Sequence, residues 1–135
     1  MARVVVLDAS ALIALYADKD THHFWALGLF RDTVEFEWQM SVLNFAEAQV
    51  HPHRAGVGEQ FLAATNRLGV EIMPLAADCA AELASLRTKT GLKMPDVITL
   101  HLAMKSGGTV ATCDASLARA ARELSIGVFA PATKK

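Results

Sequence analysis

Four consecutive apolar residues near the start of the chain, Val4, Val5, Val6 and Leu7, constrain its fold most. An uninterrupted, largely β-branched run has no polar face. It therefore fits a strand covered on both sides, the central position of a parallel sheet. With Arg3 before it and small residues after it, the run also has the outline of a secretory leader. Asp8 opposes that reading, because a carboxylate inside an apolar segment costs about 2.5–3.5 kcal/mol on insertion and the run falls short of the ~18 apolar residues of a spanning helix. The segment is expected to belong to the mature fold, and no membrane span is expected elsewhere.

Helical patterns follow over 11–17, 21–30, 42–48, 57–68, 78–90 and 95–105, with a last helix after Asp114. Strand patterns occupy 35–40, 70–73, 109–112 and 126–129, and Gly69, Gly107, Gly108 and Gly127 mark turns into them. Strands alternating with helices predict an α/β sandwich with right-handed crossovers. The 135 residues, 53% apolar against 20% charged, predict one compact domain over 1–135. Only Thr133, Lys134 and Lys135 are expected to fray.

In an open parallel sheet the functional crevice lies beyond the carboxyl ends of the strands. Asp8 ends the first strand there, and Asp114 follows the strand TVATC. Asp96 comes just after Met94 and Pro95, and Glu47 interrupts the apolar segment SVLNFAEA. Any one of these acids alone reads as a cap, a first-turn charge or a side chain reaching solvent. Four in one crevice would raise one another's pKa values and so call for a cation. Carboxylate oxygens select Mg²⁺ or Mn²⁺ over softer metals. Such a metal activates water against a phosphodiester. Thirteen Lys and Arg against fourteen Asp and Glu give a formal charge of −1, so a site for a polyanion must be local. Cys79 and Cys113 have no CxxC or zinc-type spacing and are expected to be reduced core thiols.

These segments resemble the PIN-domain ribonucleases, and among them the VapC-type toxins of toxin–antitoxin modules. VVVLDASALIAL is similar to the family's first motif at Asp8 and Ser10, and SVLNFAEA to the second at Glu47. KMPDVITLHLA is similar to the third at Asp96, and VATCDASL to the fourth at Thr112 and Asp114. The resemblance implies a three-layer PIN-like sandwich around a central, mainly parallel sheet of about five strands. It also implies that Asp8, Glu47, Asp96 and Asp114 bind Mg²⁺ or Mn²⁺ and cleave RNA, of the tRNA or rRNA class, to 5′-phosphate and 3′-hydroxyl ends. The implied partners are a second copy of the chain and a cognate antitoxin whose C-terminal segment occupies the cleft, and the implied location is the cytoplasm. A non-catalytic PIN-like module held by a protein partner is the alternative. A phosphotransfer enzyme acting through Asp8 is disfavoured, because Ser10 stands where that chemistry wants a second carboxylate.

Ser10 reads equally as the cap of the first helix or as a hydroxyl orienting a ligand acid. Thr112 reads as the latter, since it shares strand parity with Asp114 while Cys113 points away. His51 and His53 are expected to be solvated where Pro52 ends a helix, and His22 and His23 to lie on the surface at a helix start. His101 stands where the motif more often has a small residue. Five positions after Asp96, it is turned away from that acid and has no expected catalytic part. Arg87, Lys89 and Lys93 are candidate RNA contacts, with Lys105, Arg119 and Arg122 on flanking helices. Phe24, Trp25, Phe30, Phe36 and Trp38 are expected to fill the core, or in part to line a partner groove.

Overall fold

The computed structural model describes residues 3–132, so the expected frayed end at Thr133, Lys134 and Lys135 lies outside the described residues. Five strands form one sheet: β1 (Val4–Leu7), β2 (Glu37–Ser41), β3 (Glu71–Met73), β4 (Thr109–Ala111) and β5 (Val128–Phe129). Their order is β3-β2-β1-β4-β5, and every neighbouring pair is parallel. The uninterrupted apolar run thus forms the central strand, with Val5, Val6 and Leu7 wholly buried.

Strand parity divides the core in two. Val5 and Leu7 face a cluster with Leu12, Phe30, Met40, Phe45 and Phe61, while Val6 faces one with Leu100, Val110, Leu117 and Ala121. Four helices cover the first face: α1 (Ala9–Tyr16), α2 (His23–Asp32), α3 (Val42–Arg54) and α4 (Gly58–Leu68). On the second lie α6 (Met94–Ser106) and α7 (Ala115–Glu123), and α5 (Ala80–Thr90) packs on α6 after a 3-10 turn at Ala77–Cys79. Among the described residues no helix is long and apolar enough to cross a membrane.

The chain leaves β1 toward β2 and β3, then returns to add β4 and β5 on the other side. The switch point therefore falls between β1 and β4, where the registers pair Leu7 with Ala111. A crevice opens beyond the carboxyl ends at such a point. Gly107, with φ +68°, ends α6, and Gly108 lets β4 run beside β1: a Cβ there would meet the Val4 carbonyl oxygen at 3.0 Å. Backbone permissiveness thereby sets the approach of the two strands that frame the crevice.

Several local expectations need correction. Helix α3 continues through Pro52 to Arg54. Proline there removes one helical bond, from the last turns only, and the buried Asn44, Phe45 and Ala48 anchor the turns before it. His51 and His53 are exposed on this extended end. Helix α2 starts at His23 rather than Thr21, and the Asp20 carboxylate accepts the His22 N–H at 2.8 Å. Phe24 is not a core residue but is 82% exposed. Helix α2 buries Ala26, Leu29 and Phe30, and two residues before Ala26 is roughly 200° around the helix, on the opposite side.

Candidate active site

Asp8 occupies the N-cap position of α1, yet its side chain makes no capping bond. Its Oδ2 accepts two hydroxyl protons instead, from Ser10 at 2.8 Å and from Thr112 at 2.8 Å. Each hydroxyl has a single proton, and each oxygen also accepts a backbone N–H from the loop after β4: Cys113 to Ser10 at 2.9 Å and Asp114 to Thr112 at 3.0 Å. Ser10 and Thr112 therefore tie the carboxyl end of β1 to the turn carrying Asp114. They fix one oxygen of Asp8 and leave Oδ1 for another partner.

Asp114 caps α7, its Oδ1 accepting the N–H groups of Ser116 at 2.8 Å and Leu117 at 3.1 Å. Capping orients the carboxylate, and Oδ2 takes part in none of the hydrogen bonds found among the described residues. Cys113 does not turn to the far side as strand parity would place it. Strand β4 ends at Ala111, so alternation stops before the turn. Cys113 is half-buried beside Ser10, and burial pushes its thiol up to about 11, which keeps it protonated and a poor metal ligand. Cys79 is a buried free thiol.

The other two acids come from α6 and α3. Asp96 lies in the first turn of α6, after Lys93 at the cap and Pro95 in the opening turn. Glu47 lies on the middle turn of α3, largely exposed. Between them is a polar group without a counterpart in the sequence expectations. Asn44 is wholly buried, donates from Nδ2 to the Pro95 carbonyl at 3.2 Å, and accepts on Oδ1 from the hydroxyls of Ser41 and, at 3.2 Å, Thr99. This bridge fastens α3 to the backbone immediately before Asp96. The available signal was a lone Asn within an apolar helix, three residues after a Ser cap.

Electrostatics shows that the acids share one region. Burial raises the pKa of Asp8, opposed by the two hydroxyl bonds and aided by the charge of Asp114. Glu47 is raised by partial burial of its carboxyl and then by Asp8. Asp96 is pushed up to about 6, first by burial and then by Asp8, Asp114 and Glu47, with Lys93 pulling the other way. None of the four forms an ion pair among the described residues. Such an uncompensated set suits a divalent cation in both charge and hard oxygen donors.

The acids do not, however, close into a ready cage. Among the described residues no group of three or more His, Cys, Asp or Glu side chains is arranged to hold a metal ion. Asp114 spends one oxygen on its helix.

The remaining polar candidates lie elsewhere. His101 Nε2 meets Glu82 Oε2 at 2.7 Å, joining α6 to α5 away from the acids. Arg87 donates to the Leu92 carbonyl at 2.7 Å, and Lys89 lines a groove between α5 and α6. Of the three basic candidates, Lys93 is the one whose charge acts on Asp96.

Comparison with known proteins fits this arrangement. The family model of the PIN domain matches residues 5–123. No curated protein matches the chain in sequence. Among solved structures, the chain is similar to a toxin–antitoxin complex from Klebsiella pneumoniae, with TM-score 0.71, 20% identity, and coverage of 93% of this chain and 95% of that one. It is also similar to VapC20 of Mycobacterium tuberculosis, a sarcin-ricin loop cleaving toxin, with TM-score 0.73, 18% identity, and 86% and 94% covered. A third is VapBC2 from Rickettsia felis bound to a DNA fragment from its promoter, with TM-score 0.69, 16% identity, and 94% and 98% covered. At these identities the likeness is one of fold.

Proposed function

Since the chain belongs to the PIN-domain family, whose members are nucleases that generally use a divalent metal, we propose that it is a Mg²⁺- or Mn²⁺-dependent endoribonuclease and the toxin of a toxin–antitoxin pair. The observation that carries this reading is the set of four acids from β1, α3, α6 and the β4–α7 turn, in which the charges of neighbouring acids help to raise the pKa of Asp8, Glu47 and Asp96 and no ion pair among the described residues engages any of the four.

Asp8, Glu47, Asp96 and Asp114 would hold the metal, which when bound supplies Lewis-acid polarisation of the phosphodiester and an acidified water. The rest is the work of the protein. Ser10 and Thr112 hold Asp8 by one oxygen so that the other faces the crevice. The α7 amides do the same for Asp114, and the Asn44 bridge sets the start of α6 and with it Asp96. Such fixed donors need little reorganisation as charge builds on the substrate, and that preorganisation favours catalysis. Lys93, with Arg87 and Lys89, contributes cationic contacts to the RNA backbone under the same proposal.

The products carry 5′-phosphate and 3′-hydroxyl ends, and the substrate is a structured RNA of the tRNA or rRNA class. We further propose a cytoplasmic homodimer kept silent by an antitoxin, a partner present in the similar Klebsiella complex. A labelled pool of structured RNAs with Mg²⁺, an EDTA control and Asp96→Asn tests the reading. Cleavage lost in both controls supports it. Cleavage that survives in the variant, or no cleavage of any RNA by folded protein, counts against it and favours a binding module.

A further inference from the structure

Helix α6 opens with a residue that serves the helix badly. Lys93 holds the N-cap position, and its side chain makes no capping bond. Ser, Thr, Asp and Asn are the residues that cap, and a cation at the positive end of a helix is unfavourable. Yet the backbone around Lys93 is firmly held. Arg87 Nη1 donates to the Leu92 carbonyl at 2.7 Å, and the Thr90 hydroxyl accepts the Leu92 N–H at 3.3 Å. The Lys93 carbonyl in turn accepts the N–H groups of Asp96 and Val97, both at 3.1 Å. A residue that breaks a local rule at a well-fixed position marks a functional site.

Its place beside the acids gives that function a direction. Side chains at the N-cap and at the third helical position lie next to each other, as they do in a capping box, so Lys93 stands beside Asp96. Lys93 is exposed and forms no ion pair among the described residues, although its charge reaches Asp96. Four ionised carboxylates exceed one divalent cation by two charges. A crevice balanced in that way still repels a phosphodiester, and repels it more as further negative charge builds on the phosphoryl oxygens during attack. A cation of the chain at the start of α6 offsets this repulsion.

We propose that Lys93 is a catalytic residue, whose ammonium contacts a non-bridging oxygen of the scissile phosphate and stabilises the charge that develops there in the transition state. The inference rests on the nuclease reading and deepens it, because a general contact to the RNA backbone would favour binding alone. In the step concerned, a water oxygen bonds to phosphorus and the bond from phosphorus to the 3′ oxygen breaks. That oxygen leaves as a hydroxyl, with a proton that originates on the water, and Lys93 keeps its own proton throughout. The charge that favours the transition state also opposes a cation held by the acids. Lys93 therefore acts with opposite signs on cleavage and on metal affinity.

The test compares Lys93→Gln, Lys93→Arg and Lys93→Ser with the wild type. Cleavage of a labelled pool of structured RNAs with Mg²⁺ and protein in excess separates the rate at saturation from the concentration that half-saturates it. Lys93→Gln should lower the saturated rate about thirtyfold or more and move the half-saturating concentration less than about threefold, while Lys93→Arg stays within roughly fivefold of the wild-type rate. Calorimetric titration of Mn²⁺ without RNA should show binding about threefold tighter in Lys93→Gln. It should be unchanged in Lys105→Gln, which removes the same charge ~14 Å from Asp96 along α6. Lys93→Ser supplies a better cap and should melt roughly 2–5 °C higher in EDTA, so its lost cleavage is not lost folding. A wild-type rate in Lys93→Gln overturns the proposal, and so does a change confined to the half-saturating concentration. Lys93→Arg as slow as Lys93→Gln, or weaker Mn²⁺ binding in Lys93→Gln, the mark of a merely structural role, overturns it too. Each of these, beside a wild type that cuts, rejects the role of Lys93 alone. A wild type that binds Mn²⁺ and cuts no RNA rejects the nuclease reading, and the proposal with it.

Discussion

Replacing Asp96 with Asn should make the metal-free protein more stable while it removes activity. In the folded chain Asp96 is held at about 6 instead of 3.8, by burial and by the charges of Asp8, Asp114 and Glu47. Because the folded pKa is the higher one, the folded state binds more protons than the unfolded state between roughly pH 4 and 6, and stability falls as pH rises through that window. Above it, the ionised carboxyl costs the fold at most about 3 kcal/mol. Asp96 is only half-buried, and solvent screening reduces the figure to ~1 kcal/mol. Asparagine has the same shape and no charge, so it removes this cost. For a chain of this length ~1 kcal/mol raises Tm by roughly 3–5 °C. Thermal melting in EDTA at pH 8 and at pH 4 reads the effect. The gain should appear at pH 8 and shrink to a small part of that at pH 4, where the folded wild-type carboxyl is protonated and the unfolded one is roughly half protonated. An unchanged or lower Tm at pH 8, or the same gain at both pH values, would refute the reasoning.

Other perturbations probe the supports of the site. Thr112→Val keeps the shape of the side chain but removes the proton given to Asp8 and the acceptor for Asp114 N–H, and should cost about 1–3 kcal/mol in chemical denaturation. It should also raise the pKa of Asp8 further, so that on acidification the cleavage rate begins to fall at a higher pH than in the wild type; an unaltered pH profile would count against the hydroxyl's role. Asn44→Ala removes the donor to the Pro95 carbonyl and the buried acceptor of the Ser41 and Thr99 hydroxyls, leaving Thr99 only its longer 3.4 Å bond to that carbonyl. It should destabilise the chain by roughly 2–4 kcal/mol and slow cleavage under conditions where the variant is still folded. A loss below about 0.5 kcal/mol, the size typical of surface changes, would show that the bridge does not fasten α3 to α6.

The sheet was legible because its signals are local. Val4 to Leu7 has no polar face, and the breaks in apolar pattern at Asp8 and Asp114 fall at strand ends, where a parallel sheet opens. What escaped depends on contacts between distant segments. The sharing of Asp8 Oδ2 by Ser10 and Thr112 follows from the β1–β4 register, across more than a hundred residues. Asn44 reads as an oddity in a helix until Thr99 and Pro95, over fifty residues later, supply its partners. Pro52 reads as a stop because the sequence does not show how firmly the preceding turns are anchored. Phe24 reads as core by composition, and only the facing of α2 puts it in solvent. Glu47 had little local signal beyond the motif it resembles. Its placement on α3, with a pKa raised in part by Asp8, is what joins it to the other acids.

The central claim is that the four acids act as one cation-binding unit. Calorimetric titration of Mn²⁺ into the wild type and into Asp8→Asn, Glu47→Gln, Asp96→Asn and Asp114→Asn, each checked for folding, tests it most directly. The account predicts saturable binding to the wild type, weakened in every one of the four, with protons released on binding near pH 6, where Asp96 is half protonated. No saturable binding to the wild type, or binding that all four amide variants retain, would contradict it.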